Sequence, residues 1–256
     1  MDDPTHPLPQ PPPLARNTAL FLDVDGTLVE FAERPDAVRP QAGLSGLLQN
    51  VAATLGGALA LVSGRPLAQL DALFAPLALP AAGLHGHQIR ATPELSSVAA
   101  SEVPDALHAL HVQAQRLSHA HPGVRVEDKG VALALHWREA PGAASAVLAF
   151  AAAQMEGLTG YRLQPGNAVV EFVPLGRDKG TAIESLLAAA PFHRRTPVFV
   201  GDDLTDEAGF AAAQRHGGWG VLVGARAGSA ARYALPAVNA VHEWLLALTK
   251  TPARDA

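Results

Sequence analysis

Ala19-Leu20-Phe21-Leu22-Asp23-Val24-Asp25-Gly26-Thr27-Leu28 is the stretch from which the fold is read. Four apolar residues halt at a carboxylate, with no polar residue to mark an exposed face. A run this short and this apolar suits a strand of a parallel sheet covered on both sides. Two aspartates then stand two positions apart, ahead of a glycine. Turn geometry alone would accept Asp and Gly there.

The same pattern recurs along the chain. Ala58 to Val62 stops at Ser63-Gly64-Arg65, Ala81 to Leu84 stops at His85-Gly86-His87, and Pro197 to Val200 stops at Gly201-Asp202-Asp203. Gly220 to Val223 stops at Gly224. Between these runs lie helical spacings, such as Leu44, Leu47, Leu48, Val51 and Leu55, and a helix near Leu67 to Leu73. Short buried strands alternating with helices predict an α/β fold with a doubly wound parallel sheet. In such sheets functional groups collect beyond the carboxyl ends of the strands, where this chain carries Asp23, Ser63, Asp202 and Asp203.

The middle of the chain follows another rhythm. A helix from Val103 to His119 precedes Val124 to Glu127 and Val131 to Trp137, which alternate in polarity around Asp128-Lys129-Gly130. A second helix, Ala143 to Met155, precedes Tyr161 to Leu163 and Ala168 to Phe172, joined through Pro165-Gly166-Asn167. Alternation describes hairpins with one exposed face. The expected organisation is therefore a disordered proline-rich tail over 1–16, a core over 17–100 and 174–256, and an inserted αββαββ cap over 101–173. The closing helix, with Trp244, Leu245 and Leu248 on one face, is expected to take Asn239 as its N-cap.

Composition narrows the function. Of 256 residues, 48% are hydrophobic and 17% charged, enough to bury a substantial core, and the formal charge is −5. The charge does not suit a nucleic-acid partner, and no Lys/Arg run is present. Cysteine is absent, which excludes disulfides and thiolate metal sites. No apolar stretch reaches the roughly 20 residues that span a bilayer, and Asp2-Asp3 replace the basic start of a secretory signal. The expectation is a cytoplasmic protein with neither a nucleic-acid nor a membrane partner.

The segment Gly201 to Glu207 holds four acids within six residues. Beside Asp23 and Asp25 such carboxylates would repel one another unless a cation intervened. An all-oxygen donor set suits Mg²⁺ rather than zinc. Lys179 opens a helix against the dipole, a conflict that a neighbouring phosphate would resolve. Ser63 can donate to a phosphoryl oxygen or cap the following helix. His85 and His87 form a His-x-His pair without a clear third ligand, and read as packing at a strand end.

Asp-x-Asp-Gly-Thr, then Ser63, Lys179 and Gly-Asp-Asp, in that order, resemble the haloacid dehalogenase superfamily over most of residues 19–224. The resemblance implies a HAD-like, Rossmannoid core in which Asp23 attacks phosphorus and Asp25 exchanges protons with the leaving group and water. It implies Mg²⁺ on the Asp23 carboxylate, the Asp25 carbonyl and Asp202, supported by Asp203 and Asp206, with Ser63 and Lys179 holding the phosphoryl group. Gly83-Leu84-His85-Gly86, Val126-Glu127-Asp128-Lys129-Gly130, Leu135-His136-Trp137-Arg138 and Asp178-Lys179-Gly180 narrow it to the trehalose-6-phosphate phosphatases. That family implies hydrolysis of a small sugar phosphate, trehalose 6-phosphate, to trehalose and phosphate, with Arg65, Glu127, Lys129, His136, Arg138 and Glu171 as candidate substrate-binding residues. It also leaves room for association with a separate trehalose-6-phosphate synthase chain. Trp137 stands where the family often has tyrosine, and Val173 where a basic residue is common. The competing readings are a sucrose- or mannosyl-phosphate phosphatase and a non-catalytic sugar-phosphate sensor.

Overall fold

All five residues of β1 (Thr18–Leu22) are buried, and strands join it on both sides. The computed structural model describes residues 8–31, 38–92, 95–98 and 104–250. The chain divides into two compact units, one made of Met1–Val98 with Asp178–Ala256 and the other of Ala99–Arg177. The insert is thus slightly wider on both sides than the 101–173 expected.

In chain order the first half of the core unit comprises β1, α1 (Leu44–Thr54), β2 (Leu59–Val62), α2 (Leu67–Phe74), β3 (Ala81–Gly83), β4 (Gln88–Thr92) and β5 (Leu95–Val98). The insert holds α3 (Asp105–Ala120), β6 (Arg125–Asp128), β7 (Leu133–His136), α4 (Ala144–Gln154), β8 (Tyr161–Gly166) and β9 (Val169–Pro174). The core resumes with α5 (Lys179–Leu187), β10 (Thr196–Gly201), α6 (Glu207–Arg215), β11 (Trp219–Val223), β12 (Tyr233–Leu235) and α7 (Val238–Lys250).

The core sheet runs β12-β11-β10-β1-β2-β3-β4-β5, parallel from β12 to β3 and antiparallel for the last two pairings. Leu22 pairs with Val200 on one side and Leu61 on the other. The residues that follow, Asp23, Gly201-Asp202 and Val62-Ser63, therefore leave three adjacent strands at nearly one level. One cluster of buried apolar side chains, including Phe21 stacked on Phe192, and Phe199 against Phe210, holds the sheet to its helices.

The insert has its own core. Its sheet order is β6-β7-β9-β8, antiparallel throughout. Leu133, Leu135, Val170 and Phe172 project from one face into a cluster with Leu107, Leu110 and Val147 of α3 and α4. Because side chains alternate along a strand, Glu127, Ala134, His136 and Glu171 share the other face.

Three sequence expectations need correction, and three strands were missed. The stretch 8–16 does not hang free, although residues 1–7 lie outside those described. Pro9 accepts a hydrogen bond from the Ala234 amide (2.9 Å), Pro12 accepts one from Trp244 Nε1 (3.0 Å), and Leu14 is buried. Prolines lack N–H groups, but their carbonyls still accept. The Pro165-Gly166 step is strand rather than turn, since β8 continues through it and Ala168, at φ 56°, makes the reversal. β8 is an edge strand, where a missing N–H is tolerated. Asn239 lies inside α7 rather than before it. The β4–β5 hairpin and β12 were not anticipated; β4 is only partly buried throughout, and β12 buries only Leu235.

Candidate active site

Asp23 is the first residue beyond β1, and its amide donates to the Val200 carbonyl at 2.9 Å. The chain then turns tightly. Gly26 N–H donates to Val29 at 2.8 Å, and the amides of Leu28 and Val29 both reach Val24. Gly26 has φ +84°, and a Cβ there would stand 2.3 Å from an Asp202 carboxylate oxygen. Only glycine satisfies both the left-handed backbone and the close approach of the acidic segment.

Lys179 joins the two halves of the site. It is the first residue of α5, whose Asp178 N-cap forms a capping box with Thr181. Asp178 is thereby committed to the helix start, and Lys179 turns inward instead of pairing with it. Its ammonium donates to Asp23 Oδ1 at 2.7 Å and Asp206 Oδ1 at 2.6 Å, with 3% of the residue exposed. Asp206, fully buried, also accepts the Asp202 and Asp203 amides on Oδ2, both at 2.9 Å. It acts as a hub that folds the acidic segment. A Cβ at Gly201 would collide with that carboxylate at 2.5 Å.

Asp23, Asp202 and Asp206 each offer an oxygen within 4.8 Å of the others. Thr27 Oγ1 donates to Asp202 Oδ1 at 3.3 Å. Burial raises the Asp202 pKa to about 7, repulsion from Asp206 and Asp203 adds to it, and Lys179 opposes it. Burial likewise lifts Asp23 well above the usual carboxylate range, against Lys179 and with the help of Asp206 and Asp202. Burial works against the charged form of Lys179, yet its two carboxylate partners outweigh that and raise its pKa. One ammonium thus faces three carboxylates, an excess of negative charge that a bound cation would neutralise. The donors are all oxygen, which fits a hard divalent ion.

The other expected residues take distinct places. Arg65 holds Asp25 in a two-point pair, Nε to Oδ2 at 2.7 Å and Nη2 to Oδ1 at 2.6 Å. Ser63 is buried beyond β2, and its Oγ accepts the Arg65 amide at 3.1 Å. It does not cap α2, whose N-cap is Pro66. Asp203 stands apart from the carboxylate group, because its side chain caps a short 3-10 turn through the Leu204 amide at 2.6 Å. His85 and His87 are buried at the end of β3 and belong to no metal-binding group among the described residues.

On the polar face of the insert, Lys129 Nζ donates to Glu171 Oε1 at 2.7 Å and lies 3.9 Å from Glu127. His136 Nε2 meets Glu127 Oε2 at 3.0 Å. Arg138 donates to the Asn167 carbonyl at 3.2 Å. Arg162 and Gln164, bonded to each other, were missed by the sequence reading. They share the face with Glu171, and the two-residue alternation of β8 could have revealed them.

A sequence profile of the trehalose-phosphatase family matches residues 21–238. The chain belongs to this family. Among its relatives, the trehalose-6-phosphate phosphatase of Escherichia coli (strain K12) is 41% identical over 246 residues, covering 96% of this chain and 91% of that one. The fold is shared with the C-terminal domain of C. albicans trehalose-6-phosphate phosphatase, at TM-score 0.76 and 20% identity over 94% of this chain and 98% of that one. It is shared also with a haloacid dehalogenase-like hydrolase from Bacteroides thetaiotaomicron, at TM-score 0.64 and 17% identity over 90% and 98%. The family profile begins within β1 and spans both units.

Proposed function

We propose that this chain hydrolyses trehalose 6-phosphate to trehalose and phosphate, through a phosphoryl group carried transiently on Asp23. The observation that carries the proposal is the buried Asp23–Lys179–Asp206 array at the strand ends, in a chain 41% identical to a trehalose-6-phosphate phosphatase. Asp23 has the ammonium of Lys179 against it and a second acidic segment beside it, the surroundings expected of a carboxylate nucleophile.

In the first step an Asp23 oxygen forms a bond to phosphorus as the bond to the sugar oxygen breaks. Asp25 gives that oxygen its proton. In the second step water attacks the acyl phosphate, Asp25 takes the proton, and Asp23 is regenerated as inorganic phosphate leaves. Arg65 pairs with both Asp25 oxygens, so proton delivery requires that pair to open. Lys179 and Ser63 offset and orient charge on the phosphoryl oxygens. The carboxylates of Asp23 and Asp202 and the Asp25 carbonyl would hold Mg²⁺, with Asp206 organising the segment. Bound there, Mg²⁺ supplies charge neutralisation for the transferring phosphoryl group. In the insert, Glu127, Lys129, His136 and Glu171 offer the paired donors and acceptors that a hydroxyl-rich disaccharide needs.

The test is phosphate release from trehalose 6-phosphate beside sucrose, mannosyl and glucose phosphates, with Mg²⁺ and with EDTA. Trehalose 6-phosphate should give the highest kcat/KM, and only with the metal. Faster turnover of another sugar phosphate would overturn the substrate assignment. Asp23→Asn should lose at least about a thousand-fold in kcat with an unchanged circular dichroism spectrum. Activity near wild type would remove Asp23 as nucleophile.

A further inference from the structure

Arg226 lies in the loop between β11 and β12, outside every motif from which the site was read. Its Nη1 donates to the backbone carbonyl of Asp202 at 2.7 Å. Its Nη2 pairs with Oε1 of Glu207, the first residue of α6. The other Glu207 oxygen accepts the Ala230 amide at 2.7 Å, which ties the far end of the same loop to the same carboxylate. One guanidinium therefore spans the start and the end of the acidic segment 202–207, and Glu207 returns the connection to the loop.

The segment is anchored from two independent sources. Asp206 collects the Asp202 and Asp203 amides. Arg226 holds the carbonyl on the other side of the Asp202 residue. With its amide and its carbonyl both fixed, Asp202 has little freedom to rotate its backbone, and its side chain is aimed where Thr27 meets it. Arginine suits this place because its planar fork serves two acceptors at once, which an ammonium does less well.

We infer that Arg226 is a positioning residue that orients Asp202 as a cation ligand and thereby sets the enzyme's affinity for its divalent metal. The inference rests on the metal reading of the site given above. Partners of metal ligands that make no contact with the metal typically change affinity by about 10–100-fold when removed.

The experiment compares full-length wild type with Arg226→Ala, Arg226→Lys and Glu207→Gln. Mn²⁺ binding is read by electron paramagnetic resonance, and Mg²⁺ activation by steady-state kinetics. Arg226→Ala should weaken Mn²⁺ binding about ten-fold or more and raise the half-activating Mg²⁺ concentration by the same factor. At saturating Mg²⁺ its kcat should fall by less than about three-fold. Arg226→Lys should recover part of the affinity, and Glu207→Gln should show a smaller loss. Combined with Arg226→Ala, Glu207→Gln should add less than its separate effect, because both act on one connection. Wild-type metal affinity in Arg226→Ala would overturn the inference, as would a fall in kcat that saturating metal does not restore. Absence of Mn²⁺ binding by the wild type itself would instead overturn the metal site on which the inference stands, so the two failures are distinguishable.

Discussion

Lys179 is the residue on which the electrostatics of the site turn. A helix start is an unfavourable place for an ammonium, and only the two buried carboxylates beyond it make the position stable. Lys179→Met would leave those carboxylates uncompensated, which costs roughly 3–5 kcal/mol when one partner of a buried pair is removed. Urea unfolding at pH 8 should show that loss, and it should shrink at pH 5, where the carboxylates can take up protons. Asp202 has a folded pKa of about 7, above its ordinary value. A carboxyl raised in this way favours folding while protonated, so its contribution is full below about pH 4 and lost as pH climbs through about 7. Asp23 is shifted in the same direction. In EDTA the melting temperature should therefore fall between pH 5.5 and 8.5, Asp202→Asn should flatten that slope, and Mg²⁺ should raise the melting temperature most at the alkaline end. A slope unchanged in Asp202→Asn would assign it to other groups. That Asp23, Lys179 and Asp202 meet was legible in the sequence from two strand ends and a lysine at a helix start. That Asp206 also organises the segment, beyond the metal-supporting part the resemblance implies, was not, because the four acids of Gly201 to Glu207 look alike until their amide partners are known.

At the scale of elements, the parallel strands were readable because they are short, apolar on both faces and stopped by polar residues. The hairpins of the insert were readable because they alternate. β4 and β5 were not: Gln88–Thr92 alternates but carries only Ile89 as a large apolar residue, and Leu95–Val98 shows neither pattern. The Pro165-Gly166 step misled for a local reason, as the edge position of β8 removes the usual objection to proline in a strand. The insert's polar face carries its own prediction. Lys129 stands against Glu171 and near Glu127, and only 7% of its side chain is exposed. If this face binds the sugar, Lys129→Met should raise KM for trehalose 6-phosphate about ten-fold and lower kcat less, the pattern of lost uniform binding. An unchanged KM would take Lys129 out of substrate recognition.

For the whole molecule, the proline-rich stretch before β1 is the least expected part of the structure. Sequence composition reads it as unstructured because prolines cannot join a backbone ladder as donors. It is nonetheless fixed by Pro9 on Ala234, by Pro12 on the Trp244 ring nitrogen, and by Leu14 in the core. Trp244 in turn packs edge-on against Trp219, which meets Tyr233. Deleting residues 1–13 should lower the melting temperature by several degrees, as expected for a loss of about 1–2 kcal/mol in a chain of this size, and shift tryptophan emission to the red. A truncated protein with unchanged melting and emission would show the stretch to be dispensable. β12 is the outermost strand on its side of the sheet, and Pro9 covers one of its amides. Trimming the proline tract to tidy the protein for crystallisation would thus uncover a bare hydrogen-bonding rim and invite copies of the molecule to stick together.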